Sequence, residues 1–326
     1  MFYPLTFHPI FKERVWGGRN LERLFDKDLP PPATTPIGES WEITDRPEGV
    51  SEIVNGPLAG RTLRWLMENH AAELLGRAHP TAAGRFPLLV KILDAQDVLS
   101  LQVHPPAALA PSLGGEPKTE MWFFAETTPT AEIFVGLKRG VTRAEFEQRL
   151  ADGSVAQCFH RHAVKAGDAM FLPSGRVHAL GAGSVIFEIQ QNSDTTYRVF
   201  DWNRRDKDGK LRDLHIAQGI ASIDFADFEP PLLPHRRAAD PAAQADTLVH
   251  DPLFEVMLRG EPAGRSELRT RAGLVILAVL AGHLTVTGGG ETVDLFPGDF
   301  CLLPAALSEF TLATYAETKF LQVRPG

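Results

Sequence analysis

The sequence lacks features that mark several protein classes. It has only 2 cysteines in 326 residues, Cys158 and Cys301, far apart and in no Cys-x-x-Cys pairing. This spacing indicates neither a disulfide framework nor a cysteine-based zinc site. No apolar run approaches the roughly 18 residues of a membrane-spanning helix, and the first residues lack the basic and apolar regions of a secretory signal. We therefore expect a cytoplasmic protein with no membrane partner.

Basic charge is also scarce. The chain has 33 Lys and Arg against 41 Asp and Glu, a formal net charge of −8, and its basic residues form no block. This balance argues against nucleic acid as a partner. It leaves room for a local basic pocket that binds a small anion.

Turn-forming residues are plentiful, with 28 Gly and 25 Pro. Frequent turns predict many short strands, which suits a mainly β protein. Alternating and apolar segments predict strands over 39–43, 88–93, 98–103 and 132–135, and helical spacing or capping signals predict helices near 63–75, 142–150 and 213–221.

Two short patterns predict local structure in more detail. Thr142 is followed three residues later by Glu145, which predicts a capping box at the start of a helix. Near the end of the chain, alternating segments 284–287 and 292–295 flank a Gly-Gly-Gly-Glu stretch. This arrangement predicts a β-hairpin.

An internal repeat organises the whole chain. Residues 167–173 (Gly-Asp-x4-Pro) reappear at 298–304 with the Gly, Asp and Pro at a constant offset. We interpret this as a duplication and predict two jelly-roll β-sandwiches with a small helical insertion. The predicted domains are 1–229 and 246–326, with a Pro- and Ala-rich linker at 230–245.

The repeat resembles the second motif of cupins, Gly-x5-Pro-x-Gly-x2-His. Residues 167–178 match this motif in full and end in His178, whereas 298–309 lose the second Gly and have Glu309 in place of the His. We therefore expect a first cupin domain that can hold a metal and a degenerate second cupin domain.

Four side chains form a candidate metal-ligand set. Gln102 and His104 are two residues apart on a predicted strand and so share a face. With Glu120 and His178 they offer two imidazoles, a carboxylate and an amide oxygen, which suits zinc with an exchangeable position. The pair His160 and His162 has similar spacing, but we interpret it as a solvated strand face.

The sequence resembles the type I mannose-6-phosphate isomerases (phosphomannose isomerases), in their short bacterial form. The motifs that carry the resemblance occur in the family's order over roughly residues 10–205. Residues 230–326 resemble the family only as a degenerate second cupin. Its motifs are KERVWGG at 12–18, FPLLVKILD at 86–94, SLQVHP at 100–105, KTEMW at 118–122, PSGRVHAL at 173–180 and EIQQNSDTTYRV at 188–199.

The resemblance implies a zinc-dependent interconversion of mannose 6-phosphate and fructose 6-phosphate through an enediol(ate). The family's metal ligands fall on the same four side chains, its essential arginine on Arg198 and a nearby carboxylate on Glu188. One Zn²⁺ per chain, a sugar-phosphate substrate and a monomer or homodimer are expected.

The residues themselves suggest roles in such a reaction. Glu188 is a candidate proton carrier, although a surface ion pair is the alternative. Arg198 could hold the enediolate or phosphate with its guanidinium fork, or could form a structural ion pair. Lys118, Trp16 and Asp194 are candidates for substrate contact, against a solvated lysine, a core aromatic and a simple turn.

Other functions stay open from the sequence. The same metal ligands could hold iron in a cupin oxidoreductase, which would consume oxygen. The chain could also bind a sugar phosphate without catalysis, or isomerise another sugar phosphate such as glucose 6-phosphate.

Overall fold

Two pairs of antiparallel sheets form the framework of the fold. The computed structural model describes residues 2–205, 209–234, 245–269 and 273–326. The first thirteen strands are β1 (Ile10–Gly18), β2 (Ile37–Ile43), β3 (Asp45–Arg46), β4 (Gly49–Val50), β5 (Leu88–Ala95), β6 (Leu101–Val103), β7 (Glu120–Thr127), β8 (Glu132–Leu137), β9 (Phe159–Ala163), β10 (Ala169–Leu172), β11 (His178–Leu180), β12 (Ser184–Gln191) and β13 (Tyr197–Phe200). The later strands are β14 (Ala245–His250), β15 (Phe254–Glu261), β16 (Gly264–Arg269), β17 (Val275–Ala281), β18 (Leu284–Gly288), β19 (Glu291–Leu295), β20 (Phe300–Leu303), β21 (Glu309–Thr314) and β22 (Thr318–Pro325).

These strands build two sandwiches. In the first, sheet I has the order β1-β2-β5-β12-β7-β10 and sheet II the order β13-β6-β11-β8-β9. In the second, sheet III has the order β14-β15-β22-β17-β20 and sheet IV the order β16-β21-β18-β19, while β3 and β4 pair by themselves. The predicted mainly β fold with two jelly-roll sandwiches is confirmed.

Sheet I is covered on both faces. Its inner face packs on sheet II through side chains such as Leu93 and Ile133. Its outer face packs on sheet III, where the rings of Phe187 and Phe300 stack with centroids 5.4 Å apart. Every residue of β5 is buried as a result. A charged side chain on this strand therefore needs a buried partner.

Five α-helices lie among the described residues. The predicted segment 63–75 contains two helices separated at His70, and the predicted segment 213–221 becomes helical only at Ile216. No helix in the described ranges is long and apolar enough to span a bilayer. The helices are α1 (Asn20–Phe25), α2 (Leu63–Asn69), α3 (Ala71–Leu75), α4 (Arg143–Asp152) and α5 (Ile216–Ser222).

The predicted capping box is only half formed. The hydroxyl of Thr142 accepts a hydrogen bond from the backbone N–H of Glu145, at 3.2 Å. The Glu145 carboxylate instead accepts a hydrogen bond from Arg149 Nε one turn further along the helix, at 2.9 Å. The ion pair with a positive guanidinium competes with the return bond to the Thr142 amide.

The predicted hairpin is confirmed, since β18 pairs with β19 in register from Leu284 to Gly288. Gly289 and Gly290 close it with φ angles of 61° and 88°, the left-handed pair that a type I′ turn requires. The strand expected at 98–103 is shorter, because residues 98–100 lie outside β6.

The two copies of the repeat have the same local structure. Gly167 and Gly298 adopt φ angles of 93° and 87°. The carboxylate that follows each glycine accepts a backbone N–H from three residues earlier, at 2.9 Å in both copies. The duplication seen in the sequence is thus repeated in the backbone. The predicted linker, 230–245, falls mainly on 235–244, which lie outside the described residues.

Because Phe187 and Phe300 pack against each other between sheets I and III, we expect truncation of Phe300 to destabilise the protein strongly. Phe300→Ala should lower the free energy of unfolding by about 3–5 kcal/mol, because it removes a buried ring and leaves a cavity between sheets I and III. Urea unfolding followed by circular dichroism would measure it. Phe300→Leu, which keeps most of the apolar volume, should cost clearly less, and equal losses would contradict this account.

Candidate active site

A cluster of ionisable side chains lies between the sheets of the first sandwich. His104 follows β6 and His178 begins β11, both in sheet II, while Glu120 begins β7 in sheet I. Glu120 Oε2 is 3.5 Å from His104 Nε2, and Glu120 Oε1 is 3.3 Å from His178 Nε2. All three side chains are buried. Sheet packing therefore brings together residues that are up to 74 positions apart in the sequence.

Backbone carbonyls fix both imidazoles. His104 Nδ1 lies 2.8 Å from the Thr195 carbonyl oxygen, and His178 Nδ1 lies 2.9 Å from that of Arg176. Because a carbonyl can only accept, each Nδ1 carries the hydrogen in the neutral imidazole, and each Nε2 has the lone pair. Both lone pairs belong to the nitrogens nearest Glu120.

The donor atoms of this cluster fit a divalent metal ion. His104 Nε2 and both Glu120 oxygens are buried without a hydrogen bond of good geometry, although Lys118 Nζ approaches Glu120 Oε2 to 2.7 Å. Gln102 pairs in register with His178, and its amide nitrogen lies 3.3 Å from His178 Nε2. A rotation of this amide would present its oxygen instead, which completes the predicted set of two nitrogen and two oxygen donors.

The electrostatics of the cluster favour a neutral His104 and an ionised Glu120. Burial, reinforced by Lys118, lowers the pKa of His104 to about 3. Burial alone would raise the pKa of Glu120, but Lys118 and the neighbouring imidazoles hold it well below its ordinary value. A neutral imidazole and an ionised carboxylate are the forms that bind a metal ion.

A cavity of about 280 Å³ adjoins this cluster. All six predicted site residues outside the His–Glu–His cluster line it: Trp16, Gln102, Lys118, Glu188, Asp194 and Arg198. Lys118 is buried, so it is not a solvated side chain. The other lining residues are not singled out for a site by the sequence: Arg14, Glu39, Lys91, Leu93, Leu99, Ser100, Trp122, Thr196 and Arg212.

Glu188 lies inside the protein on a row of side chains across sheet I. It is opposite Lys91 on β5 and Trp122 on β7. Its Oε1 accepts a hydrogen bond from Trp122 Nε1 at 3.0 Å, and Lys91 Nζ is 3.4 Å from its Oε2. The surface ion pair considered from the sequence is wrong, because Glu188 is only 3% exposed. Burial raises its pKa above the ordinary value of a glutamate.

Arg198 reaches the cavity from the other sheet. It is half-buried and pairs in register with Gln102 on β6. Its Nε has no hydrogen-bond partner, and no carboxylate among the described residues forms an ion pair with it. The structural ion pair considered from the sequence is therefore absent from the described part of the chain.

Two further arginines line the same cavity and were missed. Arg14 Nε lies 2.6 Å from Glu39 Oε1, and Arg212 forms an ion pair with Asp201. Alternation on β1 places Arg14 on the same face as Trp16, so a sequence signal existed for the first. For Arg212, which lies outside every motif, we find no comparable signal.

The second histidine pair lies elsewhere. His160 and His162 sit on β9, the edge strand of sheet II, with ring centroids 4.4 Å apart. His162 Nε2 is occupied by the Pro230 carbonyl oxygen at 2.7 Å. Neither histidine lines the cavity.

Two jelly-roll sandwiches with a His–Glu–His cluster inside the first define a protein of the cupin class. A family model for the catalytic domain of type I phosphomannose isomerase matches residues 5–119. Mannose-6-phosphate isomerase ManA of Bacillus subtilis is 37% identical over 96% of this chain and 97% of its own. A mannose-6-phosphate isomerase of Streptococcus mutans is 37% identical over 95% of both chains.

Comparison with solved structures gives the same family as comparison of the sequences. The crystal structure of the Bacillus subtilis mannose 6-phosphate isomerase superimposes with a TM-score of 0.86 at 31% identity, over 99% of both chains. The apo Salmonella typhimurium enzyme, at 16% identity, shares the fold with a TM-score of 0.75. The chain belongs to the type I mannose-6-phosphate isomerase family.

The depressed pKa of His104 predicts a pH effect on metal-free protein. The unfolded chain binds a proton at this residue below about pH 6.5, whereas the folded protein does so only near pH 3. The free energy of unfolding should therefore fall as the pH drops from 7 to 5, by up to about 1.4 kcal/mol per pH unit from this residue. Urea titrations in the presence of a chelator should show that the free energy of unfolding falls more steeply with decreasing pH for the native chain than for His104→Gln. Identical slopes against pH would refute this prediction.

Proposed function

We propose that this enzyme interconverts mannose 6-phosphate and fructose 6-phosphate by proton transfer through an enediol(ate), with zinc as its metal. The observation that carries the proposal is one cavity lined by a buried carboxylate, by a guanidinium free of ion pairs within the described residues, and by Gln102, which lies against the His–Glu–His cluster. Together these groups meet the needs of an aldose–ketose isomerase that acts on a phosphorylated sugar.

The metal would be held by Gln102, His104, Glu120 and His178. Two imidazole nitrogens with carboxylate and amide oxygens favour zinc over the all-oxygen sets of magnesium or calcium. When bound, zinc supplies Lewis-acid polarisation of the substrate carbonyl. Lys118 holds Glu120 ionised for this purpose and lies on the cavity wall.

We assign the movement of the proton between C1 and C2 to Glu188. Its Oε1 is taken by the Trp122 indole, so Oε2 is the oxygen that takes up and returns the proton. A general base works best when its pKa lies near the working pH, and burial shifts the pKa of Glu188 in that direction.

The charged end of the substrate would bind on the sheet II side of the cavity. Arg198 can donate to a phosphate or enediolate oxygen without first breaking an ion pair. Arg14 and Arg212 line the cavity with it. Trp16 supplies an apolar wall, and Asp194, exposed at the cavity, is placed to accept from a sugar hydroxyl.

We also propose that residues 1–229 form the catalytic cupin domain and residues 246–326 a degenerate one. Every residue that lines the cavity precedes 229. The second sandwich instead has an apolar interior that includes Val286 and Phe310, and Glu309 stands where the first copy has its histidine.

The first test combines activity with metal content. Purified protein with zinc should convert mannose 6-phosphate to fructose 6-phosphate in a coupled assay and lose this activity to a chelator. His104→Ala should lose bound zinc and lower kcat/KM on the order of 100-fold or more, since even outer-shell changes at metal sites cost 10–100-fold.

His160→Ala is the matched control, because it removes an imidazole outside the cavity. It should keep zinc and activity. Activity that survives both chelation and His104→Ala would overturn the metal assignment. Faster turnover of glucose 6-phosphate would replace mannose 6-phosphate as the substrate, and substrate-dependent oxygen uptake would indicate an oxidoreductase.

Arg198→Ala tests the guanidinium. The variant should fold and retain zinc while kcat/KM falls about 100-fold, as expected for losing charge-assisted hydrogen bonds to an anion. Arg139→Ala, which removes an exposed arginine outside the cavity, should leave both unchanged. If Arg198→Ala instead lost its fold, as judged by circular dichroism, the residue would be structural.

A further inference from the structure

Lys91 lies between two buried carboxylates on the inner face of sheet I. Its Nζ is 3.6 Å from Glu39 Oε2 and 3.4 Å from Glu188 Oε2. Each carboxylate is also held by an indole: Trp41 Nε1 donates to Glu39 Oε2 at 2.6 Å, and Trp122 Nε1 donates to Glu188 Oε1 at 3.0 Å. One ammonium thus serves two anchored carboxylates.

The register of the sheet produces this arrangement. Trp41, Lys91, Glu188 and Trp122 stand opposite one another on β2, β5, β12 and β7. Glu39 is two residues before Trp41 and points to the same face. The row is therefore part of the sheet itself, not of a mobile loop.

The two carboxylates differ in their remaining partners. Glu39 has a second cation, because Arg14 Nε lies 2.6 Å from its Oε1. No second cation among the described residues forms an ion pair with Glu188. Lys91 and Arg14 hold the pKa of Glu39 at about 2 although burial alone would raise it, so Glu39 is ionised near neutral pH.

We propose that Glu39 is a positioning residue for Glu188 and acts through Lys91. By sharing the ammonium, Glu39 keeps Lys91 from closing onto Glu188 as a one-to-one ion pair. Glu188 then stays oriented by Trp122 and remains free to take up and release a proton. This inference rests on the proposed function, in which Glu188 moves the proton.

The alternative is that Glu39, which also lines the cavity, touches the sugar directly. The two roles differ in how Glu39 and Lys91 depend on each other. A residue that acts only through Lys91 has nothing to act on once Lys91 is replaced. A residue that contacts substrate loses its contact whether or not Lys91 is present.

A double-mutant cycle on mannose 6-phosphate tests the proposal, with kcat, KM, bound zinc and thermal midpoint measured for each variant. Glu39→Gln should lower kcat on the order of 10-fold to 100-fold, the scale of a misplaced catalytic group, with KM within about 3-fold and zinc unchanged. Lys91→Met should also lower kcat. The double variant should match Lys91→Met within about 2-fold, because the effects are coupled.

Glu42→Gln is the matched control. Glu42 is a buried carboxylate on the same strand, on the opposite face, with Lys27 at 3.0 Å. It should keep kcat near that of the native chain. Should Glu39→Gln fail to fold, Glu39→Asp, which keeps the charge but withdraws it from Lys91, goes through the same cycle.

The outcomes separate the two proposals. A native chain that does not isomerise mannose 6-phosphate overturns the proposed function. If the native chain is active, three results would overturn the positioning role of Glu39 and leave the proposed function intact. These are an unchanged kcat in Glu39→Gln, a loss of kcat in Glu42→Gln as large as that in Glu39→Gln, and a double variant whose loss of kcat is the product of the two single losses.

Discussion

Glu120 is a fully buried carboxylate that remains ionised, and the organisation of the site follows from that constraint. A buried charge is costly unless cations and hydrogen-bond donors replace water around it. Lys118 supplies one such cation at 2.7 Å, and two imidazoles present lone pairs instead of hydrogens because carbonyls hold their Nδ1 atoms. The remaining positive charge that this carboxylate requires is what the donor set would recruit as a metal ion.

Keeping such groups dry requires a sheet buried on both faces, and this gives the second sandwich a structural purpose. Phe187 and Glu188 are neighbours on β12 that face opposite ways. Phe187 packs on Phe300 of sheet III, while Glu188 joins the charged row in the cavity. The second sandwich thus covers the outer face of the strands whose inner face lines the cavity, although it has no histidine at the position equivalent to His178.

Local sequence patterns predict much of the fold and of the candidate site. The residues of the His–Glu–His cluster stand at the ends of strands marked by short motifs, and the repeat at 167–173 and 298–304 fixes two equivalent turns. Glu39 was not foreseen, because its link to Lys91 joins two strands that are 52 residues apart and depends on register that the sequence does not encode locally. The half-formed capping box has a similar cause, since the Arg149 side chain competes with the Thr142 amide for the Glu145 carboxylate.

In the described part of the chain, most cations of the cavity wall have a carboxylate partner and Arg198 does not, and this difference explains how an acidic chain can bind an anion. Lys91, Lys118, Arg14 and Arg212 each have a carboxylate partner, so their positive charge is largely compensated within the wall. Arg198 has none among the described residues, and its Nε lacks a hydrogen bond. An anion that meets Arg198 gains a charge-assisted bond without displacing a protein carboxylate. The compensated cations meanwhile keep the surrounding carboxylates from repelling it, so the net charge of −8 is no obstacle at this site.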